Sequence, residues 1–122
     1  MYPCRQHFPR RYRLLTPADF KRVFAKPRKN NKKVLIAYSR VNEKDSSRLG
    51  MAFSKKAVRK SVERSRLKRI CRESFRMHCF GAIGVDIVLL ARPGLEHKSN
   101  QQLRLILNNI WRSLSADEKN IN

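Results

Sequence analysis

Apolar and polar positions along this chain keep two rhythms, and the changes between them divide it into six elements. Val34-Leu35-Ile36-Ala37-Tyr38 is a short run of branched and aromatic residues, which predicts a strand. In residues 48–54, Leu49, Met51 and Phe53 alternate with Gly50, Ala52 and Ser54, so a second strand is expected, with its large side chains toward the core. Its small residues leave an opposite face that another backbone can approach closely. Asn42 to Ser47 reads as a turn, and the two strands are therefore expected to pair as an antiparallel hairpin. Residues 85–91 predict a third strand, followed by a Pro93-Gly94 turn.

The helical rhythm appears three times. Thr16 can cap a helix, Pro17 suits its first position, and Asp19 lies where a negative charge favours the N-terminal dipole. This helix is expected to run to about Lys26, where Pro27 stops it. The following Arg28, Lys29, Asn30, Asn31, Lys32 and Lys33 read as a basic loop. Residues 61–79 form a long helical pattern with Gly81 and Gly84 as stop signals, and residues 99–113 form another. In the latter, Leu103, Leu107, Ile110, Trp111 and Leu114 make an apolar face, and residues 115–122 read as a polar tail. The order helix, strand, strand, helix, strand, helix predicts an α/β (α+β) two-layer sandwich: one helical layer against a small mixed sheet, in a single domain over residues 1–122 with its ordered core at about 8–114.

Composition narrows what such a domain does. Among 122 residues, 29 Lys and Arg face 9 Asp and Glu, a formal net charge of +20. A compact body with that charge repels itself unless a polyanion neutralises it. The basic residues are interleaved with apolar ones, as in a folded binder rather than a basic tail. No helix combines the charge with an aromatic anchor face, which argues against membrane binding. Cys4, Cys71 and Cys79 lack the spacing of zinc or redox motifs and read as reduced thiols of a cytoplasmic protein.

The long helix carries the most information. At 100° per residue, Leu67, Ile70, Cys71, Ser74, Phe75 and Met77 share an arc of about 160°, the face expected to pack on the sheet. On the opposite side Lys68, Arg69, Arg72 and Arg76 share about 100°, with Arg64 and Arg66 near the borders. A charge run is often only a solvated face. Here Glu63 and Glu73 alone offer acidic partners within the helix, and arginine, whose planar fork suits phosphate, dominates the ridge.

The run Glu63-Arg64-Ser65-Arg66-Leu67-Lys68-Arg69-Ile70-Cys71-Arg72-Glu73 resembles the signature helix of the bacterial ribonuclease P protein family, whose usual form is R-N-R-x-K-R-x-x-R-E. Ser54-Lys55-Lys56 resembles that family too, as does Arg13-Leu14-Leu15-Thr16-Pro17 followed by Asp19-Phe20 and Val23-Phe24. Ser65 departs from the pattern, standing where Asn is usual, so an amide able to donate and accept is lost there.

The resemblance implies an RNA-binding subunit of a ribonucleoprotein that removes the 5′ leader from precursor tRNA, with one protein per catalytic RNA. It implies that the RNA performs the cleavage with its own Mg2+, that the protein binds no cofactor or metal itself, and that a left-handed crossover joins two parallel strands through the long helix. It places catalytic-RNA contacts at Arg59, Arg64, Arg66, Lys68, Arg69, Arg72 and Arg76. Leader contacts fall on Phe20, Phe24, Ile36, Tyr38, Ala52, Lys55, Lys56 and Ser65.

The residues read alone agree with the division of labour. A two-metal nuclease needs converging carboxylates, yet the acids are few and scattered. His7 and His97 fall in loops and His78 within the apolar arc, so no acid–base pair is evident. Periodicity alone also fits Phe20 and Phe24 as core residues rather than base platforms. A ribosomal protein of similar size and charge is the alternative function; a DNA-binding regulator would need a short recognition helix after a tight turn, which is not seen.

Overall fold

The computed structural model describes residues 16–25, 27–42, 47–78 and 84–119, and for 115–119 the backbone only. In chain order the elements are α1 (Pro17–Ala25), β1 (Arg28–Asn31), β2 (Leu35–Val41), β3 (Arg48–Ala52), α2 (Ser61–Met77), β4 (Val85–Ala91), a short 3-10 turn (Leu95–His97) and α3 (Asn100–Lys119). The strands form one mixed sheet in the order β1-β2-β4-β3, with β4 antiparallel to β2 and parallel to β3.

Two sequence-based expectations are corrected here. The segments now labelled β2 and β3 do not form a hairpin, because β4 lies between them and pairs with both. β4 takes the interior place because Val85-Asp86-Ile87-Val88-Leu89-Leu90-Ala91 is nearly all apolar, which suits a strand covered on both faces. The parallel β3–β4 pair is then joined through α2, since parallel neighbours need a long crossover. The basic loop after Pro27 is in part a strand: Arg28–Asn31 pairs antiparallel with β2. Its polar composition hides it, because it is an exposed edge strand and its backbone pairing comes from β2; charged side chains also suit an edge by discouraging further strand addition.

The principal core lies on one face of the sheet. Leu35, Ala37, Leu49, Ile87 and Leu89 meet Leu67, Ile70, Cys71 and Phe75 of α2 and Leu103, Leu107, Ile110, Trp111 and Leu114 of α3. The apolar face expected of α3 is therefore buried in full, and the helix backbone continues to Lys119 rather than ending near Ser113. Trp111 is buried, and its indole Nε1 donates to Ser74 Oγ at 2.8 Å, so its one polar group is satisfied. Burial pushes the Cys71 thiol up to about 12, which keeps it protonated and inert. Met77 departs from expectation: it is 55% exposed, because it stands at the edge of the arc centred on the buried side chains.

The last turn of α2 ends at His78, whose amide donates to the carbonyl of Phe75. The residues expected to form part of the first turn, Glu43 to Ser46, lie outside the described residues, as do Arg13, Leu14, Leu15, Gly81, Cys4, Cys79 and His7.

Candidate nucleic-acid interface

α1 lies on the face of the sheet opposite α2 and α3. Val23 from α1 and Val88 from β4 are fully buried against each other, with Phe20 and Tyr38 packed around them. The strand registers array the residues of this face in rows. Lys29, Tyr38, Val88 and Gly50 form one row, and Asn31, Ile36, Leu90 and Ala52 form the next. Ile36 and Ala52 thus share a row, with Leu90 standing between them. Lys29 and Asn31, on the strand that read as a loop, extend the surface at its edge.

The aromatic residues divide their labour. Phe20 is half-buried and contributes to the small core beneath α1, whereas Phe24 is 43% exposed. Phe24 meets Tyr38 edge-on with ring centroids 5.0 Å apart, and Lys29 Nζ lies 6.0 Å from the Tyr38 centroid. Such an edge-to-face pair orients both rings while taking up one face of only one of them. Ile36 is buried. Ala52 is half-buried, while Lys55 and Lys56 are exposed on the loop after β3, where Ser54 Oγ accepts from the amide of Ala57.

The position of α1 over the sheet is set by charges that sequence reasoning did not single out. Arg48 donates from Nε and Nη2 to the two carboxylate oxygens of Asp86 at 2.9 and 2.7 Å, and its Nη atoms also reach Asp19 on α1 at 3.3 Å. Asn42 donates to Asp86 at 2.7 Å. Asp19 closes the cap at the same time, accepting from the amide and hydroxyl of Thr16 at 2.9 Å. Hydrogen bonding from the Thr16 amide and hydroxyl, with the Arg48 charge, holds the Asp19 carboxyl below its ordinary value despite the opposing effect of burial. Arg40, across the sheet from Asp86, donates to the carbonyl of Arg22 at 2.9 Å and latches α1 a turn further on. The only legible trace of this clamp was Asp19 as a first-turn acid; that Arg48 and Asp86 stand side by side follows from the parallel β3–β4 register.

The ridge of α2 separates into two groups. Arg69 is exposed and Lys68, Arg72 and Arg76 are half-buried, on the side away from the sheet; Ser65 is exposed among them. The two border arginines are engaged within the protein. Arg64 donates to the carbonyls of Val58 and Arg59 at 2.7 and 2.9 Å and so fastens the loop before α2. Arg66 bonds Glu63 at 2.8 Å and Asn100 at 2.6 Å, and it reaches the carbonyl of Glu96, tying α2 to the start of α3. Arg59 itself is exposed.

The molecule therefore presents an aromatic and basic surface on one face of the sheet and a cationic ridge along α2. A family model described as Ribonuclease P matches residues 8–115. The chain belongs to the ribonuclease P protein family. The ribonuclease P protein component of Chromohalobacter salexigens is 45% identical over 113 residues, covering 92% of this chain and 88% of the relative. That of Pseudomonas fluorescens is 45% identical over 114 residues, covering 93% and 86%. The solved RNase P protein of Staphylococcus aureus superimposes with a TM-score of 0.75 at 30% identity, covering 83% of this chain and 93% of that one. The Thermotoga maritima RNase P protein gives 0.72 at 29% identity, covering 83% and 96%. Membership of this family decides against the ribosomal-protein alternative. No helix among the described residues is long and apolar enough to cross a membrane.

Proposed function

We propose that this chain is the protein subunit of ribonuclease P, acting in the bacterial cytoplasm as one copy per catalytic RNA. It binds that RNA through the α2 ridge and holds the unpaired 5′ leader of precursor tRNA on the surface beside α1. The observation that carries this reading is the Phe24–Tyr38 pair, partly exposed and flanked by Lys29, on a sheet face separate from the ridge. Aromatic faces accept any base, and neighbouring cations accept the phosphate between bases, so the surface suits single strands of variable sequence.

Hydrolysis in this reading belongs to the RNA with its Mg2+, and the protein contributes binding. The described acids support the assignment: Asp19 and Asp86 are neutralised by Arg48, Glu63 is paired with Arg66, and Glu73 and Glu96 lie on different elements. Purified protein freed of all RNA is expected to leave precursor tRNA intact in magnesium buffer. Cleavage at the mature 5′ end by such a preparation overturns the assignment of chemistry to the RNA.

The leader reading is tested by comparing two ligands. Phe24→Ala or Tyr38→Ala is expected to weaken holoenzyme binding of precursor tRNA by about 1–3 kcal/mol, the value of one stacked base, with mature tRNA barely affected. Damage to the fold would impair assembly with the RNA and disturb both measurements. Equal losses for the two ligands at normal assembly affinity return these rings to a structural role.

A further inference from the structure

The C-terminal turns of α2 and the adjoining side of α3 enclose a depression of about 450 Å³, walled by Ser74, Arg76, Met77, His78, Arg104 and Asn108, with Glu73 as the one acid in its lining. Arg104, Asn108 and Arg112 recur every fourth residue and so form one stripe of α3 beside its buried face. Arg112 lies close enough to His78 for its charge to reinforce the lowering of the imidazole pKa, for which burial is the larger cause. Arg76 is half-buried and Arg104 and Arg112 are exposed. Among the described residues, none of these three arginines has a carboxylate within ion-pair distance.

Arg76 and Arg104 in the wall, with Arg112 one turn of α3 beyond the lining and near His78, are like charges offset in the lining by Glu73 alone, and a polyanion seated beside them relieves their repulsion. The other groups in the wall fit one class of polyanion. Met77, 55% exposed, offers an apolar contact of the size of a ribose, and the Asn108 amide can both donate and accept. Arg76 belongs to the ridge of α2 as well as to this depression, so a strand following the ridge past its C-terminal end is led onto α3.

We propose that this groove is a second binding site for RNA backbone, which extends the α2 ridge onto α3 and seats phosphate between Arg76 and Arg104, with Arg112 taking the next phosphate along the α3 stripe. The inference rests on the reading that the ridge binds the catalytic RNA, and it adds a surface that the signature helix does not contain. The planar fork of each arginine can engage two oxygens of one phosphate.

The experiment measures the salt dependence of binding to ribonuclease P RNA transcribed from the same genome, for four proteins: wild type, Arg104→Gln/Arg112→Gln, Arg104→Lys/Arg112→Lys, and the ridge variant Lys68→Ala/Arg69→Ala/Arg72→Ala. Loss of two phosphate contacts is expected to flatten the log–log slope by about 1–2 in the glutamine variant. The lysine variant, which keeps the charges, should retain the wild-type slope. Both arginines lie outside the core, and fluorescence of the single tryptophan, Trp111, monitors packing beside them. A wild-type slope in the glutamine variant, alongside a flattened slope in the ridge variant, overturns the groove and leaves the function standing. Absence of salt-dependent binding by the wild type overturns both.

Discussion

Replacing Lys68, Arg69 and Arg72 together by Ala is expected to flatten the log–log salt slope of catalytic-RNA binding by about 2 to 3. Each cation that meets a phosphate releases condensed counterions, and the slope counts those contacts. Between about 50 and 200 mM salt, the wild-type affinity should then fall some 15- to 65-fold more than that of the variant. The choice of residues follows the structure. Arg64 and Arg66 lie on the same helix, but their guanidinium groups hold the loop before α2 and the start of α3, so their removal confounds binding with folding. Arg69 is exposed, and Lys68 and Arg72 are half-buried on the helix side opposite Leu67, Ile70 and Cys71. With the fold intact by circular dichroism, an unchanged slope makes the ridge ordinary solvated surface.

Asp86→Ala is expected to lower stability by about 3 kcal/mol, since it leaves Arg48 without its two shortest bonds in a site where both side chains are largely covered. In a domain of this size that corresponds to a fall in Tm of about 10–20 °C. The hydrogen bond from Asn42 to Asp86 is lost as well. Asp86→Asn keeps the shape and part of the hydrogen bonding but not the charge, and should fall between. The clamp is also sensitive to acid through Asp19. Its folded pKa is depressed, so its stabilising contribution is present above the unfolded value and is lost as pH falls through the folded one. Thermal unfolding of the variants followed from neutral to acidic pH checks both statements. A Tm for Asp86→Ala within a degree or two of wild type would show that α1 holds its place without the clamp.

The surface proposed for the leader depends on that clamp geometrically. α1, seated on Val88 through Val23, is also held at both the Asp19 and Arg22 levels by Arg48 and Arg40 from two different strands, which sets Phe24 against Tyr38. Destabilising variants of the network are therefore expected to disturb the ring pair before they unfold the α2–α3 core, which lies on the other side of the sheet.

What was legible in the sequence is what short-range chemistry decides. Thr16, Pro17 and Asp19 start a helix because capping groups act on amides within three residues. Leu103, Leu107, Ile110, Trp111 and Leu114 share a face because a helix repeats every 3.6 residues. The same periodicity separates Leu67, Ile70, Cys71 and Phe75 from Lys68, Arg69, Arg72 and Arg76, so the ridge was visible before any fold was known. Tertiary structure alone decided the rest, because it rests on pairings between distant segments. Arg28–Asn31 becomes a strand only against β2, and β4 separates β2 from β3 because its apolar run needs cover on both faces. Nothing local to Arg48 indicates that it meets Asp86, 38 residues away, and Asp19 on another element. Likewise Arg66 reads as part of the cationic ridge until α3 brings Asn100 within 2.6 Å and turns it into a strut. Periodicity states which way a side chain leaves its helix, and only the packed neighbours determine what it meets there.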